Sequence, residues 1–209
     1  MTKLGATIKA VCIHSILIGL IPGIVLGLLL LTPVQAETAS PKVQLESTIQ
    51  SILTVLRDPA LKSDTRQEEK REKLRSIARQ RFDYRKMSQL SLGRHWRDRS
   101  EVEKASFTKL FGNLLEDTYM DKIDDYTDEH VAFVNERLTK KKAQVDTKII
   151  TKDLEIPINY RMYRKKDGRW MIYDMVIEGV SMIGNYRSQF GQILERQSFD
   201  ELVEKLRNK

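Results

Sequence analysis

Apolar residues follow a helical period in the first part of the chain, a strand period in the middle and a helical period again at the end. Across residues 45–56 they recur every three or four positions, which predicts an amphipathic helix. Ser40 followed by Pro41 is the expected start of this helix, because serine caps helices and proline suits the first helical position. The same spacing across residues 107–118 predicts a second long helix.

Two further helices are expected between these two. The charged segment 64–81 carries one narrow apolar stripe and opens with Thr65 and Glu68, which have the spacing of a capping box. In the next segment Asp83 is the expected cap and Gly93 the expected stop.

Four runs rich in β-branched and aromatic residues follow from His130 onward. Short charged turns separate them, which predicts antiparallel hairpins. The last run, residues 170–177, is apolar on both faces, so we expect it to be covered on both sides, with Ile172 facing one way and Met175 the other. Pro157 lacks an amide hydrogen, which favours an edge or a bulge in the third run.

The period becomes helical again after Gly179, and a last helix is expected from Ser198, which has Glu201 three positions on. The pattern therefore predicts an α+β domain, a twisted antiparallel sheet of about four strands wrapped by N- and C-terminal helices. An apolar space can form in the angle between the last strand and the helix that follows Gly179.

The first 36 residues have a basic start, an apolar run over residues 16–31 and a small-residue exit at Ala36. This pattern predicts a signal peptide cleaved after Ala36, which leaves a single domain of residues 37–209. An uncleaved membrane anchor is the alternative, but Pro22 and Gly23 interrupt the apolar run. The only cysteine, Cys12, lies in this segment, so no disulfide is expected in the exported domain.

Candidate catalytic and metal-binding groups are sparse in the sequence. His14, His95 and His130 have no spacing that predicts a zinc site, and the last two are expected at the surface. The sequence contains no GxSxG, HExxH or phosphate-loop motif. The acidic cluster in residues 121–129 lacks the glycine and the alternating ligands of a calcium loop. We therefore expect no metal, no cofactor and no enzymatic activity.

Asp174 and Glu178 are the one pair of carboxylates on or beside an apolar strand. Such a pair can do acid–base work. The favoured interpretation is instead that Asp174 pairs with an arginine, Arg161 or Arg187, or accepts from backbone amides.

The chain is basic, with a formal net charge of +7 and a pI near 9.4. Acids and bases alternate in the charged segment 64–81, which favours a solvated helix over a nucleic-acid arm, and no nucleic-acid partner is expected. Lys140-Lys141-Lys142 falls in a hairpin loop, where a solvated turn is favoured over a contact with a headgroup or partner.

Two stretches carry a family resemblance. The run YDMVIEGVSMIGNYRSQF, residues 173–190, and the segment FDYRKMSQLSLGRHW, residues 82–96, resemble the MlaC family, also called the toluene-tolerance auxiliary family. The resemblance extends in element order from about residue 43 to the C-terminus. It implies a periplasmic phospholipid-binding shuttle, a single lipid-binding domain that holds acyl chains between its sheet and its helices.

The resemblance also implies partners. These are an inner-membrane ABC transporter with an MCE-domain ring and an outer-membrane lipoprotein–porin complex, in an Mla-type system that maintains outer-membrane lipid asymmetry. A periplasmic carrier of hopanoids or another apolar ligand is the alternative. An exported lipid hydrolase is less favoured, because the sequence offers no nucleophile paired with a base.

The residues expected to line an apolar pocket are chosen from strand alternation and helix stripes, not from the resemblance. For the two phenylalanines of the helix at residues 107–118, plain core packing is an equal alternative. Tyr186 and Arg187 are expected at the pocket mouth or at a structural corner. The candidate lining residues are Phe107, Phe111, Phe133, Val145, Ile149, Ile158, Tyr160, Met162, Trp170, Ile172, Val180 and Ile183.

Overall fold

The computed structural model describes residues 39–124 and 130–208, with the side chains of residues 121–124 left out. The predicted signal peptide with its cleavage after Ala36, Cys12 and His14 therefore lie outside the described residues. The side chains of the acidic cluster in residues 121–129 lie outside them as well.

Six α-helices flank the sheet in the described part of the chain. Short 3₁₀ turns at Pro59–Leu61, Asp64–Arg66 and Gly93–Trp96 join some of them. The helices are α1 (Pro41–Arg57), α2 (Gln67–Arg81), α3 (Tyr84–Leu92), α4 (Glu101–Asp124), α5 (Met182–Leu194) and α6 (Phe199–Arg207). None of the helices within these residues is long and apolar enough to cross a membrane.

The sheet is antiparallel, and its strands lie side by side in chain order. It has one strand more than the sequence predicts, because two residues after Gly179 pair back onto the fourth strand before the helix begins. The strands are β1 (His130–Leu138), β2 (Lys142–Ile150), β3 (Glu155–Arg164), β4 (Trp170–Ile177) and β5 (Val180–Ser181).

The predicted helix starts are confirmed with one exception. The Ser40 hydroxyl accepts from the Val43 amide at 3.2 Å, and Ser198 forms a full capping box with Glu201. The box predicted for Thr65 and Glu68 is wrong. Residues 64–66 form a separate 3₁₀ turn, and α2 begins after it without a side-chain cap.

The turn from β4 to β5 needs a left-handed backbone at two successive residues. Glu178 has φ of 49° and Gly179 has φ of 84°. Glycine reaches this region freely, whereas glutamate enters it at a cost. The Glu178 amide donates to the Pro157 carbonyl at 3.0 Å and closes the end of the β3–β4 ladder.

The expectation that Pro157 marks an edge or a bulge is wrong, since β3 lies between β2 and β4. Pro157 pairs in register with Lys148 of β2. On its other side it lies opposite Glu178, just past Ile177, the last residue of β4. Its carbonyl accepts from the Glu178 amide, so its missing amide hydrogen affects only the end of the β3–β4 ladder.

Strand β4 is covered along both edges and both faces. Phe82 forms a parallel bridge to Ile172, and the Asp83 amide donates to the Ile172 carbonyl at 2.9 Å. No residue of β4 is exposed, as its two-sided apolar pattern predicts.

A bulge in β4 alters its alternation. Arg161 pairs with Asp174 and Met162 with Ile172, so Tyr173 is an extra residue without a partner on β3. A bulge shifts the side chains beyond it to the opposite face. The prediction that Ile172 and Met175 face opposite sides is therefore wrong, because the inserted residue brings both to the same face.

Two large clusters of buried side chains form the interior. The aromatic core lies among α3, α4, α5 and α6 and includes Phe107, Phe111 and Phe190. The sheet core lies under α1 and includes Leu45 and Met162.

Candidate functional site

An apolar cavity of about 340 Å³ lies between the sheet and the helices α1, α2, α3 and α4. This volume falls at the lower end of the roughly 300–1,000 Å³ range of small-molecule sites. The residues that line it are Leu45, Thr48, Ile49, Ile52, Leu74, Ala78, Phe82, Tyr84, Met87, Leu115, Glu116, Tyr119, Met120, Ile149, Ile156, Ile158, Tyr160, Ile172, Met175, Ile177, Glu178 and Met182.

One wall of the cavity is the inner face of the sheet. Ile158 and Tyr160 of β3 lie opposite Ile177 and Met175 of β4 in the strand register. Because of the bulge at Tyr173, Ile172 lies on the same wall as Met175 and Ile177. The bulge therefore sets which part of β4 faces the cavity.

The facing wall is made of helix stripes. Leu45, Ile49 and Ile52 of α1 recur at four and three residues, so one face of the helix points inward. Leu74 and Ala78 of α2 are four residues apart and do the same. The stripe on α2 is narrow because the rest of that helix is charged.

The lining is poor in polar groups. Sixteen of the 22 lining residues have side chains of hydrocarbon or thioether, and the others are Thr48, Tyr84, Glu116, Tyr119, Tyr160 and Glu178. The Thr48 hydroxyl donates to the Gln44 carbonyl at 2.9 Å and accepts from Arg81 Nε at 2.9 Å. Such a surface gains from contact with hydrocarbon and offers little to a charged substrate.

Glu116 is the buried acid in the wall, 7% exposed. Arg79 binds it with two hydrogen bonds, Nε to Oε1 at 3.0 Å and Nη2 to Oε2 at 2.9 Å. Burial of the Tyr84 hydroxyl, together with the neighbouring Glu116 carboxylate, raises the pKa of Tyr84 far above its ordinary value. This carboxylate is therefore neutralised by an arginine of α2 and joins that helix to α4.

The most exposed part of the lining lies at the end of the sheet where β2 and β4 finish and β3 begins. Glu178 is the one exposed lining residue, and its neighbours Ile149, Ile156 and Ile177 are half-buried. We call these four residues the mouth.

Four of the twelve residues predicted to line a pocket do line this cavity: Ile149, Ile158, Tyr160 and Ile172. The structure places the other eight elsewhere. Val145, Met162 and Trp170 belong to the buried sheet core, with Phe133 packed against it.

Three of the remaining predicted residues, Phe107, Phe111 and Ile183, lie in the aromatic core. Rings fill that space, since the Phe107 centroid is 5.7 Å from that of Phe111. Val180 is 61% exposed, because it belongs to the short β5 and not to the helix that follows. Alternation identifies buried positions, but it does not tell which of two interiors they enter.

Among the lining residues that sequence reasoning missed, two sets show why. The α1 stripe of Leu45, Ile49 and Ile52 was visible as a helical period but gave no sign that it faced a cavity. Met175 and Ile177 were assigned to the opposite face of β4, because nothing in the apolar pattern marks the bulge.

Asp174 has the partners that the sequence favoured. Arg161 Nη1 donates to its Oδ2 at 3.0 Å, and the Ile183 amide donates to its Oδ1 at 3.0 Å. The Ser181 hydroxyl donates to Oδ2 at 2.7 Å. Asp174 therefore fixes the start of α5 against the sheet, and its carboxylate is fully engaged.

Tyr186 and Arg187 were expected either at the pocket mouth or at a structural corner. Neither residue lines the cavity. Tyr186 packs against Phe111, with ring centroids 5.0 Å apart. Arg187 is exposed and lies over Gly93, where an added Cβ atom would come within 3.2 Å of its Nε.

Among the described side chains, those of residues 39–120 and 130–208, no group of three or more His, Cys, Asp or Glu is placed to hold a metal ion. His130 is exposed, and His95 is half-buried and accepts from Arg94 Nε at 3.4 Å. The aliphatic lining of the cavity is suited to holding an apolar molecule.

Comparison with known proteins gives one family. The profile of the MlaC protein family matches residues 46–208. A curated relative, the intermembrane phospholipid transport system binding protein MlaC of Haemophilus influenzae, is 30% identical over 120 residues. That match covers 55% of this chain and 56% of the relative, so it spans about half the relative's length.

A solved structure shares the fold. It is the phospholipid-binding protein from Ralstonia solanacearum in complex with a phospholipid, which superposes with a TM-score of 0.71 at 21% identity. The superposition covers 81% of this chain and 96% of the other.

Proposed function

The chain belongs to the MlaC family, and from this membership and the cavity we propose that it binds a phospholipid and carries it through the periplasm. The observation that carries the proposal is the apolar cavity between the sheet and the helices, whose most exposed part is the mouth. A space lined in this way is a place for acyl chains.

The energetics of such a carrier follow from the lining. Each methylene group that is moved from water into the cavity contributes about 0.8 kcal/mol. The apolar lining can therefore compete with a bilayer for the tails without contacting the headgroup. We accordingly propose that the headgroup lies at the mouth, near Glu178, and that selectivity between headgroups is weak.

The names of the related proteins support the ligand class. The Haemophilus influenzae relative is a phospholipid transport system binding protein, and the Ralstonia solanacearum structure holds a phospholipid. We propose for this chain the partners that the family implies: an inner-membrane ABC transporter with an MCE-domain ring and an outer-membrane lipoprotein–porin complex. We also propose export to the periplasm with cleavage after Ala36.

The proposal is tested by what the purified protein contains. Organic extraction followed by mass spectrometry should release phospholipid in a stoichiometric amount. Release of a hopanoid would favour the alternative ligand. A folded protein that releases no lipid would contradict the carrier function.

A pair of variants ties the lipid to the cavity. Ile172→Asp places a charge on the cavity wall and should abolish lipid occupancy, whereas Val102→Asp, at an exposed position of α4 outside the lining, should leave it unchanged. If Ile172→Asp does not fold, Met175→Gln introduces a neutral polar group on the same wall and should lower occupancy. Equal lipid occupancy in all folded variants would show that the lipid does not bind in this cavity.

A lipid hydrolase remains the competing class of activity. Turnover of a labelled phospholipid that one substitution abolishes would support it. We propose binding without turnover, because Tyr84, the lining hydroxyl beside the Glu116 carboxylate, has a strongly raised pKa, and Arg79 holds both oxygens of that carboxylate.

A further inference from the structure

Two hairpin tips lie side by side at the end of the sheet opposite the mouth. The tip between β1 and β2 and the tip between β3 and β4 are joined by the Arg164 amide, which donates to the Lys141 carbonyl at 3.0 Å. Lys142 pairs with Tyr163 directly beside this bond. Residues 137–142 and 161–169 therefore form one continuous surface, which we call the basic end.

The basic end has a strong excess of positive charge. It contains nine lysines and arginines and a single acid, Asp167, which Arg169 binds at 2.7 Å. The segments around the mouth, residues 148–156 and 177–180, contain two basic and three acidic residues. The charge is therefore concentrated at one end of the sheet.

Part of this charge is not neutralised within the protein. Lys140, Lys141 and Lys142 are exposed, and within the described residues their side chains form no ion pair. Acids outside the two segments bind three of the other cations: Asp146 binds Arg137 at 3.0 Å, Asp174 binds Arg161 at 3.0 Å, and Asp83 lies 3.9 Å from Lys165. Leu138, beside the three lysines, is 56% exposed. The tip thus presents free cations around an uncovered aliphatic side chain.

We propose that the basic end docks on the surface of an anionic lipid bilayer. Lysines attract anionic headgroups from flexible stems that require no fixed partner geometry. An exposed leucine among them can enter the interface between headgroups and acyl chains. Three adjacent lysines on a protruding turn fit a fluid array of phosphates, which can rearrange around each ammonium group.

Docking in this way has a consequence for orientation. Because the basic end and the mouth lie at opposite ends of the sheet, the mouth points away from the docked bilayer. The tip then holds the protein near a membrane while the mouth stays accessible from the aqueous side. The proposal stands on the charge distribution and does not require the cavity to hold lipid.

The test is co-sedimentation of the purified protein with vesicles at low ionic strength. One set of vesicles contains phosphatidylglycerol and phosphatidylcholine, and the other contains phosphatidylcholine alone. The variant replaces Lys140, Lys141 and Lys142 by glutamine. Each lysine at an anionic surface strengthens binding roughly fivefold, so the triple variant should bind the anionic vesicles about a hundredfold more weakly.

The matched control removes the same charge elsewhere. It replaces Lys62, Lys109 and Lys152, three exposed lysines outside the basic end, by glutamine and should bind as the native protein does. Added salt should release the native protein, since exposed charges are screened. Ile172→Asp should bind vesicles normally, which separates docking from occupancy of the cavity.

Two results would overturn the proposal. One is native protein that binds anionic vesicles no better than phosphatidylcholine but is retained by an acidic protein surface, which would assign the basic end to a protein partner. The other is equal vesicle binding by the two triple variants, which would show that net charge and not this surface is responsible.

Discussion

The aromatic core and the cavity differ in what fills the space between the helices and strands that enclose them. In the aromatic core the ring of Phe107 lies 5.6 Å from that of Phe190 and 5.8 Å from that of Phe199, centroid to centroid. Ile172 on the cavity wall is as deeply buried as Phe107, at 0% exposed, yet it borders open volume. Burial alone therefore does not distinguish a core from a site.

The difference follows from side-chain shape and reach. Rings on α4 and α5 meet edge to face, the Phe199 ring of α6 packs tilted against Phe107, and together these rings fill the gap between the helices. On the cavity walls four of the 22 lining residues are aromatic, Phe82, Tyr84, Tyr119 and Tyr160, and most of the others are aliphatic or methionine. The side chains of the two walls leave a gap between sheet and helices, which a ligand's hydrocarbon can occupy.

The largest expected effect is in the aromatic core. Phe107→Ala removes a ring that its neighbours cannot replace and should lower the free energy of unfolding by about 3–5 kcal/mol. Met175→Ala on the cavity wall should cost less than half as much, because that side chain already borders space. Urea denaturation of delipidated protein measures both. Equal costs would mean that the two interiors are packed alike.

Substitutions that add volume should also distinguish a packed core from the cavity, because only the cavity has room for a larger side chain. Ala143→Phe in the sheet core forces a ring into a packed site and should cost about 1–3 kcal/mol. Ala78→Phe directs a ring into the cavity, so we expect little loss of stability and a large loss of lipid occupancy. Thermal unfolding and mass spectrometry of the extracted lipid report the two quantities. Undiminished occupancy in Ala78→Phe would contradict the account.

The smallest expected effect concerns alkaline stability at the cavity wall. Because burial raises the pKa of Tyr84 in the folded protein, the unfolded chain loses this proton first. Its contribution is complete below the ordinary tyrosine pKa of about 10 and is lost as the pH rises above it, by at most about 1.4 kcal/mol per pH unit. Tyr84→Phe should flatten this decline. The free energy of unfolding would be measured from denaturation curves on both sides of that pH. If it declines with pH as steeply in Tyr84→Phe as in the native protein, Tyr84 is not the cause.

Most of the fold could be predicted from the sequence, because local rules determine it. Ser40, Ser198 and Gly93 end or begin helices where capping chemistry requires. The four long strands follow the apolar pattern. The short β5 was missed, since a two-residue strand has no period of its own.

The cavity was harder to predict, because it depends on relations between distant elements. The extra residue Tyr173 exchanges the faces of β4, and alternation gives no sign of it. Phe107 and Ile158 have equally apolar surroundings in sequence, but one meets rings and the other meets space. Whether a buried position faces a void depends on the length of the side chains across from it.

The most direct test of the central claim is to find where an acyl chain lies in the protein. A phospholipid with a photoreactive group on its acyl chain would be loaded, activated by light and located by peptide mass spectrometry. The account predicts labelling on the peptides that contain Ile158, Ile172 and Met175, and none on those that contain Phe107 and Phe190. Labelling of the aromatic core with the cavity peptides untouched would contradict it.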